Sequence, residues 1–407
     1  MTQDMGNDFF GRKLSYEPYL YMDNIIEDIQ DVFIHNLDRI KQKNLPKHVI
    51  KTAIDISHCR TNAMHGHLYQ CPTEHFSIFL RNSCNNRLCP KCQDKHKLDW
   101  NQKCKDLVLN CSHYHLVFKL PTFCYEHFTK HYKEFINILY ATAKKTIDKI
   151  IDFSFEENIS TGSIMVLHTH GSSLQLHPHL HVLISDGGLN LANDKWIKSN
   201  KNLFNWSDFN SIYNTYLKKE LSKFYSKNNH LSSQFLQHIQ SIHKSICFTS
   251  EKYDDPFHLI DYLSRTIKGS SIQNKYFDFS NDTISLNDFQ ETKIFSQEEF
   301  IRRFLLHVLP TGTKSIRYYG LYSVKARARL NIARSFLGQS QIHNNKSESH
   351  QDLIEENNEF LPYKFCPVCK KRMVLIEKTL PYDTPIYIID RFGKDPPGPD
   401  FFTKIAA

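Results

Sequence analysis

Between His177 and Leu189 the chain reads HPHLHVLISDGGL, and this stretch limits the possible fold more than any other. Leu180, Val182 and Ile184 alternate with His179, His181 and Leu183, the two-residue period of a strand whose first set faces a core. The same alternation sends His177, His179 and His181 to one face, where imidazoles can converge on a metal ion. Spacing alone leaves a second reading open, a run of hydrogen-bonded histidines in a chain that holds 23 of them. Asp186-Gly187-Gly188 then reads as a turn that ends the strand beside its histidines.

Other elements are placed around this strand by their own periodicities. Residues from about 20 to about 45 carry Ile, Val, Phe and Leu at helical spacing and stop before Pro46. Strands are expected from Tyr114 to the stop at Pro121 and over Ser163–His168, with helices over about 125–150 and within about 207–244. Asp255-Pro256 reads as an N-cap followed by proline at the first helical position. The helix it opens carries Leu259, Leu263 and Ile267 on one face and stops near Gly269. A polar, acidic stretch from about 341 to about 359 reads as a linker before a short tail. The chain's 407 residues suffice for two or three domains, and the mixture of elements predicts an α+β fold.

No run of 18 apolar residues occurs, and Asp4, Asp8 and Glu17 spoil a secretory signal. The expectation is therefore no membrane partner, and residence in the cytoplasm. Most of the 11 cysteines sit in short clusters, which favours thiolate metal ligands over a disulfide framework. Cys89-Pro90-Lys91-Cys92 is a knuckle able to hold one metal locally. Cys59, Cys71, Cys84 and either His67 or His75 offer enough partners for one structural zinc site or two. Cys366-Pro367-Val368-Cys369 repeats the knuckle. It reads equally as half of a zinc site completed from a distance and as a turn carrying two thiols.

The net charge of +8 suits a phosphate-bearing partner without demanding one. Arg87 and Lys91 lie among basic residues around the first knuckle, a surface suited to phosphate contact or simply to solvation. Between Lys314 and Arg334 the chain carries Arg317, Arg327 and Arg329 and no acid, interleaved with Tyr318, Tyr319 and Tyr322. The arginines are expected to face DNA, while the tyrosines fit stacking platforms or a core equally well.

Taken in order, CRTNAMHGHLYQC, NSCNNRLCPKCQ, YHLVFKLP, HPHLHVLISDGGL, YLSRTIKG and IRYYGLYS resemble bacterial rolling-circle transposases with an HUH nuclease domain, normally bearing paired catalytic tyrosines. The resemblance implies an antiparallel sheet carrying the histidines, flanking helices, and small zinc-binding modules. It implies an organisation into a helical segment at 1–50, a zinc-binding DNA-contact domain at 51–108, an HUH domain at 109–338, and a linker with a carboxy-terminal module at 339–407. The implied activity is cutting and rejoining single-stranded DNA at mobile-element ends and targets, in the bacterial nucleoid and with a homo-oligomer as one arrangement.

By the same resemblance, His179 and His181 match the histidine pair that binds Mg²⁺ or Mn²⁺, with His177 a weaker candidate for the third ligand. Tyr262 matches the first tyrosine, which forms a 5′-phosphotyrosyl intermediate, and Arg265 and Lys268 on its helix are placed to meet phosphate. The second tyrosine is replaced by Thr266, and one of the later tyrosines is an open substitute. The family's second cysteine after Cys71 is also missing, which makes His75 the expected replacement. Two rival functions keep most of these features: a replication initiator of the same chemistry, and an inactive zinc-containing DNA-binding protein.

Overall fold

The computed structural model describes residues 26–171, 174–199, 203, 206–228, 231–243, 247–264, 272–280, 282–287, 292–342 and 365–377. Helix α1 (Ile29–Gln42) starts in a capping box, Asp28 accepting from the Asp31 amide while the Asp31 carboxylate accepts from the Asp28 amide. Helix α2 (Lys47–His58) follows Pro46, where sequence reading had no helix. Strands β1 (Gly66–Gln70) and β2 (Ser77–Arg81) form an antiparallel hairpin. Helix α3 (Pro90–Leu107) then begins at the first knuckle, with Cys89 as N-cap and Pro90 in the first turn.

The centre of the molecule is a five-stranded, wholly antiparallel sheet. It is built from β3 (His113–Lys119), then, past the short α4 (Tyr125–Phe128), the long α5 (Tyr132–Ser154) and β4 (Ile159–Ser160), from β5 (Gly162–His170) and β6 (Leu176–Ser185). Short strands β7 (Gly188–Asn190) and β8 (Trp196–Ile197) pair with β4 in a small separate sheet. Gly187 makes the turn from β6 to β7 at φ +122°, where a Cβ would also lie 2.6 Å from the Ile197 carbonyl oxygen. Helices α6 (Trp206–Lys227) and α7 (Ser233–Gln240) lead to the edge strand β9 (Cys247–Tyr253). Helix α8 (Pro256–Ser264) follows, its first turn closed by the Phe257 amide donating to Asp255 at 2.8 Å.

A second sheet joins β10 (Phe277–Phe279), β11 (Thr283–Asn287) and β12 (Thr292–Ser296), followed by α9 (Gln297–Leu305). Strand β13 (Ile316–Gly320) closes the other edge of the central sheet, giving the order β13-β5-β6-β3-β9. The basic segment between Lys314 and Arg334 thus starts as a strand and ends in helix α10 (Arg327–Phe336). Strand β14 (Val374–Glu377) pairs with β1 in a third sheet, ordered β14-β1-β2. The architecture is a mixed α+β fold of antiparallel sheets, flanking helices and cysteine-rich clusters.

Two cores on opposite faces of the central sheet set the direction of the side chains from Leu180 to Ile184 of β6. Leu180, Val182 and Ile184 pack with Phe135, Leu139 and Ala143 of α5 and Phe209 and Leu217 of α6. Leu183 packs on the other face with Trp100 and Cys104 of α3, Leu259 and Leu263 of α8, and Leu330 of α10. The alternation read from the sequence is thus the alternation in the fold. A third core joins α1 and α2 to Cys59, Cys89 and Cys92, to β10–β12 and to α9.

Buried histidines make this fold acid-sensitive. His113 donates from Nδ1 to the Cys111 carbonyl and accepts at Nε2 from the Tyr322 hydroxyl, at 2.7 and 2.6 Å. His307 accepts from Thr169 and donates to the Leu174 carbonyl, each at 3.2 Å. Burial pushes their pKa values down to about 4 and about 3. The unfolded chain takes up these protons near pH ~6.5 and the folded one only well below it, so stability is full above that range and falls as pH falls through it. Urea denaturation midpoints should therefore drop between pH ~7.5 and ~4.5, each histidine contributing on the order of a few kcal/mol, and His307→Gln should flatten part of the slope.

Candidate metal centre and nucleophile

Antiparallel register sets His168 of β5 directly opposite His179 of β6. Side chains at such a pair share one face a few ångströms apart, and His181, two residues on, joins them. Ligand atoms of His168, His179 and His181 all lie within 4.8 Å of one another. His179 Nε2 stands 3.1 Å from His181 Nε2, and the His168 ring centroid lies 4.4 Å from that of His181. His168 is buried, and its Nε2 has no hydrogen-bond partner.

The surrounding bonds aim the open nitrogens inward. His179 Nδ1 donates to the His177 carbonyl at 2.7 Å, which leaves its Nε2 as a lone pair facing the cluster. His115 of β3 meets His181 Nδ1 through its Nε2 at 2.7 Å, with the rings stacked 9° from parallel. When His181 donates along this bond, a second lone pair faces that of His179, an arrangement a cation relieves. Burial, before any neighbouring histidine, holds the His168 and His181 pKa values well below the ordinary range and brings His179 down to about 3. All three are therefore neutral at neutral pH, the protonation state in which imidazole binds a metal. An orphaned buried nitrogen and two lone pairs brought to one point fit a metal ion.

His177, which strand alternation placed with this pair, instead has its Nδ1 3.1 Å from the Tyr125 hydroxyl and stands outside the trio. The third member comes from the neighbouring strand. Its sequence signal was a histidine two residues from the end of a strand with matching parity, which becomes readable only once β5 is known to pair with β6. His115 was missed for the same reason.

Tyr262 projects from α8 above the trio, half exposed, with its ring centroid 5.8 Å from His115 and 6.4 Å from His181. Helix α8 is clamped to α3 by Asp261, which pairs with Lys105 at 2.7 Å and accepts from Asn101 at 2.7 Å. Arg265, Thr266 and Lys268 lie outside the described residues. The later tyrosines take structural positions. Tyr318 accepts from the Trp100 indole at 3.1 Å, and Tyr322 is 2 % exposed with its hydroxyl bonded to His113 and the Leu109 amide. Buried and with its hydroxyl already engaged, Tyr322 is not presented to a strand, and burial raises its pKa well above its ordinary value.

The basic residues divide by exposure. Lys91 reaches inward to Gln30 and, at 4.0 Å, to Asp28. Arg87 donates to the Leu309 carbonyl, while Arg317 bonds Asn137 and covers the Tyr140 ring at 3.9 Å. Lys91 thus joins α3 to α1 and is not a free phosphate contact. Arg329 is exposed on α10, and Arg327 on the same helix has a buried Nη1 with no hydrogen-bond partner.

The cysteines form two separate groups. Cys59, Cys84, Cys89 and Cys92 form a tetrad, with the Cys92 sulfur 3.6 Å from Cys59 and 3.7 Å from Cys84. A tetrahedron of ~2.3 Å Zn–S bonds spaces its sulfurs by ~3.8 Å, so the tetrad has the composition and spacing of a structural zinc site. Hydrogen bonds from the other three thiols push the Cys92 pKa down and the same contacts push Cys89 up, as expected when crowded thiols cannot all ionise without a cation. The amino terminus of α3 also favours thiolate at Cys89 and Cys92. Cys71 and His75 belong instead with Cys366 and Cys369, and His67 on β1 falls in neither group.

A family model described as "Putative transposase" matches residues 162–329, and one described as "Transposase zinc-binding domain" matches residues 26–120. "Putative transposase y4qJ" of Sinorhizobium fredii (strain NBRC 101917 / NGR234) is 27% identical over 357 residues, covering 81% of this chain and 88% of the relative. The "Transposase for insertion sequence element IS801" of Pseudomonas savastanoi pv. phaseolicola is 32% identical over 113 residues, 27% of this chain and 26% of that protein. No solved structure gives a significant match. With the histidine trio and the cysteine tetrad, these matches are family-level evidence for a bacterial transposase of the HUH type with an amino-terminal zinc-binding module. Among the described residues no helix is long and apolar enough to cross a membrane.

Cys59→Ser should remove zinc from the tetrad and loosen the α1–α2 core around it, since Cys59, Cys89 and Cys92 are part of that core. Zinc content and thermal unfolding followed by near-UV circular dichroism check this. An unchanged zinc content would exclude Cys59 as a ligand.

Proposed function

We propose that the protein cuts and rejoins single-stranded DNA at mobile-element ends, with Tyr262 as nucleophile and His168, His179 and His181 holding a divalent metal. The observation that carries this reading is the orphaned His168 nitrogen in a neutral histidine trio that lies beneath an exposed tyrosine. Three imidazoles with water and phosphate oxygens completing the shell suit Mn²⁺ better than Mg²⁺. A metal bound there supplies charge to the nonbridging oxygens of the scissile phosphate.

The chain's own residues perform the remainder. Tyr262, being half exposed, is open to a strand lying across the trio. Its phenolic oxygen bonds to phosphorus and the bond to the 3′-oxygen breaks, leaving a 5′-phosphotyrosyl enzyme and a 3′-hydroxyl. The phenol's proton leaves to solvent as the 3′-oxygen gains one. Attack by a later 3′-hydroxyl reverses these bonds, releases Tyr262 and rejoins DNA without ATP. Asp261 fixes the pitch of α8 through α3, and His115 fixes the ring of His181. Arg327 and Arg329 are the basic residues of α10 suited to backbone phosphate. With Tyr318 and Tyr322 engaged in packing and Tyr319 packed on the α5 face of the sheet, away from the trio, one tyrosine per chain carries the covalent step. A second linkage then falls to another protomer or to a second turnover.

Incubation with a labelled element-end oligonucleotide and Mn²⁺ should yield a covalent adduct that maps to Tyr262 and is absent from Tyr262→Phe. A robust adduct in that variant, or binding without any cleavage by the parent, overturns the proposal, the latter leaving a DNA-binding protein. His115→Ala should weaken Mn²⁺ binding by ~10–100-fold in calorimetry, with partial recovery in His115→Gln, while Tyr262→Phe leaves it unchanged. Thr266→Ala should keep first-strand cleavage within ~10-fold of the parent, because no covalent step uses that hydroxyl.

A further inference from the structure

Cys71, His75, Cys366 and Cys369 come together although Cys71 and Cys369 are 298 positions apart in the sequence. Their ligand atoms all lie within 4.8 Å of one another. The Cys71 and Cys369 sulfurs are 3.4 Å apart, and the Cys71 sulfur is 3.9 Å from His75 Nδ1. These separations suit ligands around one tetrahedral zinc. The three cysteines and the histidine otherwise have little reason to meet, because none of these thiols is in a disulfide.

Each pair is presented by a tight backbone turn. The Glu74 amide donates to the Cys71 carbonyl at 2.8 Å, and Glu74 takes φ 56°. In the other turn the Lys370 amide donates to the Cys366 carbonyl at 2.9 Å, and Lys370 takes φ 59°. Non-glycine residues rarely adopt such angles unless their surroundings hold them there. Both turns point their donors toward the same spot, with the Thr73 hydroxyl 3.1 Å from the Cys71 sulfur and 3.1 Å from His75 Nδ1.

Among the described residues, little else holds the segment these turns join. Its apolar cluster there has Cys71, Ile78, Cys366 and Met373 as buried members, with Tyr69, Phe76 and Leu80 partly buried against them. Phe365, Val368, Val374 and Ile376 are each about half exposed. Strand β14 meets β1 through a bulged register, and closing so long a loop carries an entropic penalty. A core this small does not stabilise a sheet of three short strands unaided, and a metal is the usual remedy.

We propose that Cys71, His75, Cys366 and Cys369 form a second zinc site that fastens the carboxy-terminal segment to the amino-terminal module, adding β14 to the edge of β1. It differs from the tetrad in setting. The tetrad is embedded in the large core of α1, α2 and α9, whereas this site lies at the surface with His75 exposed. It is therefore the more easily emptied of the two, and its loss frees the tail without dismantling the tetrad.

The full-length protein, purified with zinc, should contain about two zinc ions per chain, falling to about one in the Cys366→Ser/Cys369→Ser double variant. His75→Cys should retain both, since thiolate replaces imidazole, while His75→Ala should lose the second at lower chelator concentration than the parent. A protease recognition sequence inserted after His350 then tests the fastening directly. After cleavage the tail should co-elute with the body in zinc, and separate after mild chelation or in the double variant. About one zinc in the parent, or about two retained in the double variant, overturns the site. A tail that stays bound after the second zinc is lost overturns the fastening role. Thiol counting by mass spectrometry after alkylation excludes the disulfide alternative, and finding one would likewise overturn the proposal. None of these readouts involves DNA, so they stand or fall independently of Tyr262.

Discussion

The candidate centre depends on one cross-strand pairing, that of β5 with β6 in which His168 stands opposite His179. A slip of one residue would turn His168 to the α5 face, among Phe135 and Leu139, where an imidazole nitrogen would have no partner. Large apolar side chains on both faces prevent this. Met165 and Leu167 are committed to one core, and Ile164 and Val166 to the other. Hydrophobic burial therefore sets the register, and the register assembles three polar ligands at its end. The polar site follows from apolar packing.

Around it the protein uses two kinds of support. Neutral imidazoles are kept neutral by burial and aimed by hydrogen bonds at their far nitrogens, His179 to a carbonyl and His181 to His115. Tyr262 is held by a helix whose own anchor, Asp261, faces away toward Lys105 and Asn101. The histidines are locked within a sheet, and the tyrosine is left accessible on a helix above them. A rigid candidate metal centre beneath an accessible tyrosine is the arrangement the proposed cleavage of an extended, highly charged strand requires.

Cysteine chemistry divides along the same line between large and small cores. The tetrad is formed by residues close in sequence and covered by α1, α2 and α9. The other group gathers one turn from each end of the chain over a cluster of four buried residues. What the sequence left open as one zinc site or two is in space two donor sets. Cys71 and His75 leave the first because β1 and β2 carry their connecting turn away from the α3 knuckle.

Much of this was legible in the residues themselves. Period-two alternation in HPHLHVLIS identified the strand and its buried face, Asp255-Pro256 marked the start of α8, and CPKC marked a metal knuckle, because each is a local consequence of backbone geometry or ligand spacing. Local pattern also put His177 beside His179, and its ring does lie 5.2 Å from that neighbour, yet it stands outside the trio. Near a strand end a side chain can meet another partner, here Tyr125. His168, His115, the fate of Tyr318 and Tyr322, and the meeting of Cys71 with Cys369 were decided only by tertiary structure. Each depends on which strand lies next to which, and that choice is made by burying apolar surface across the whole molecule, a sum no short segment contains.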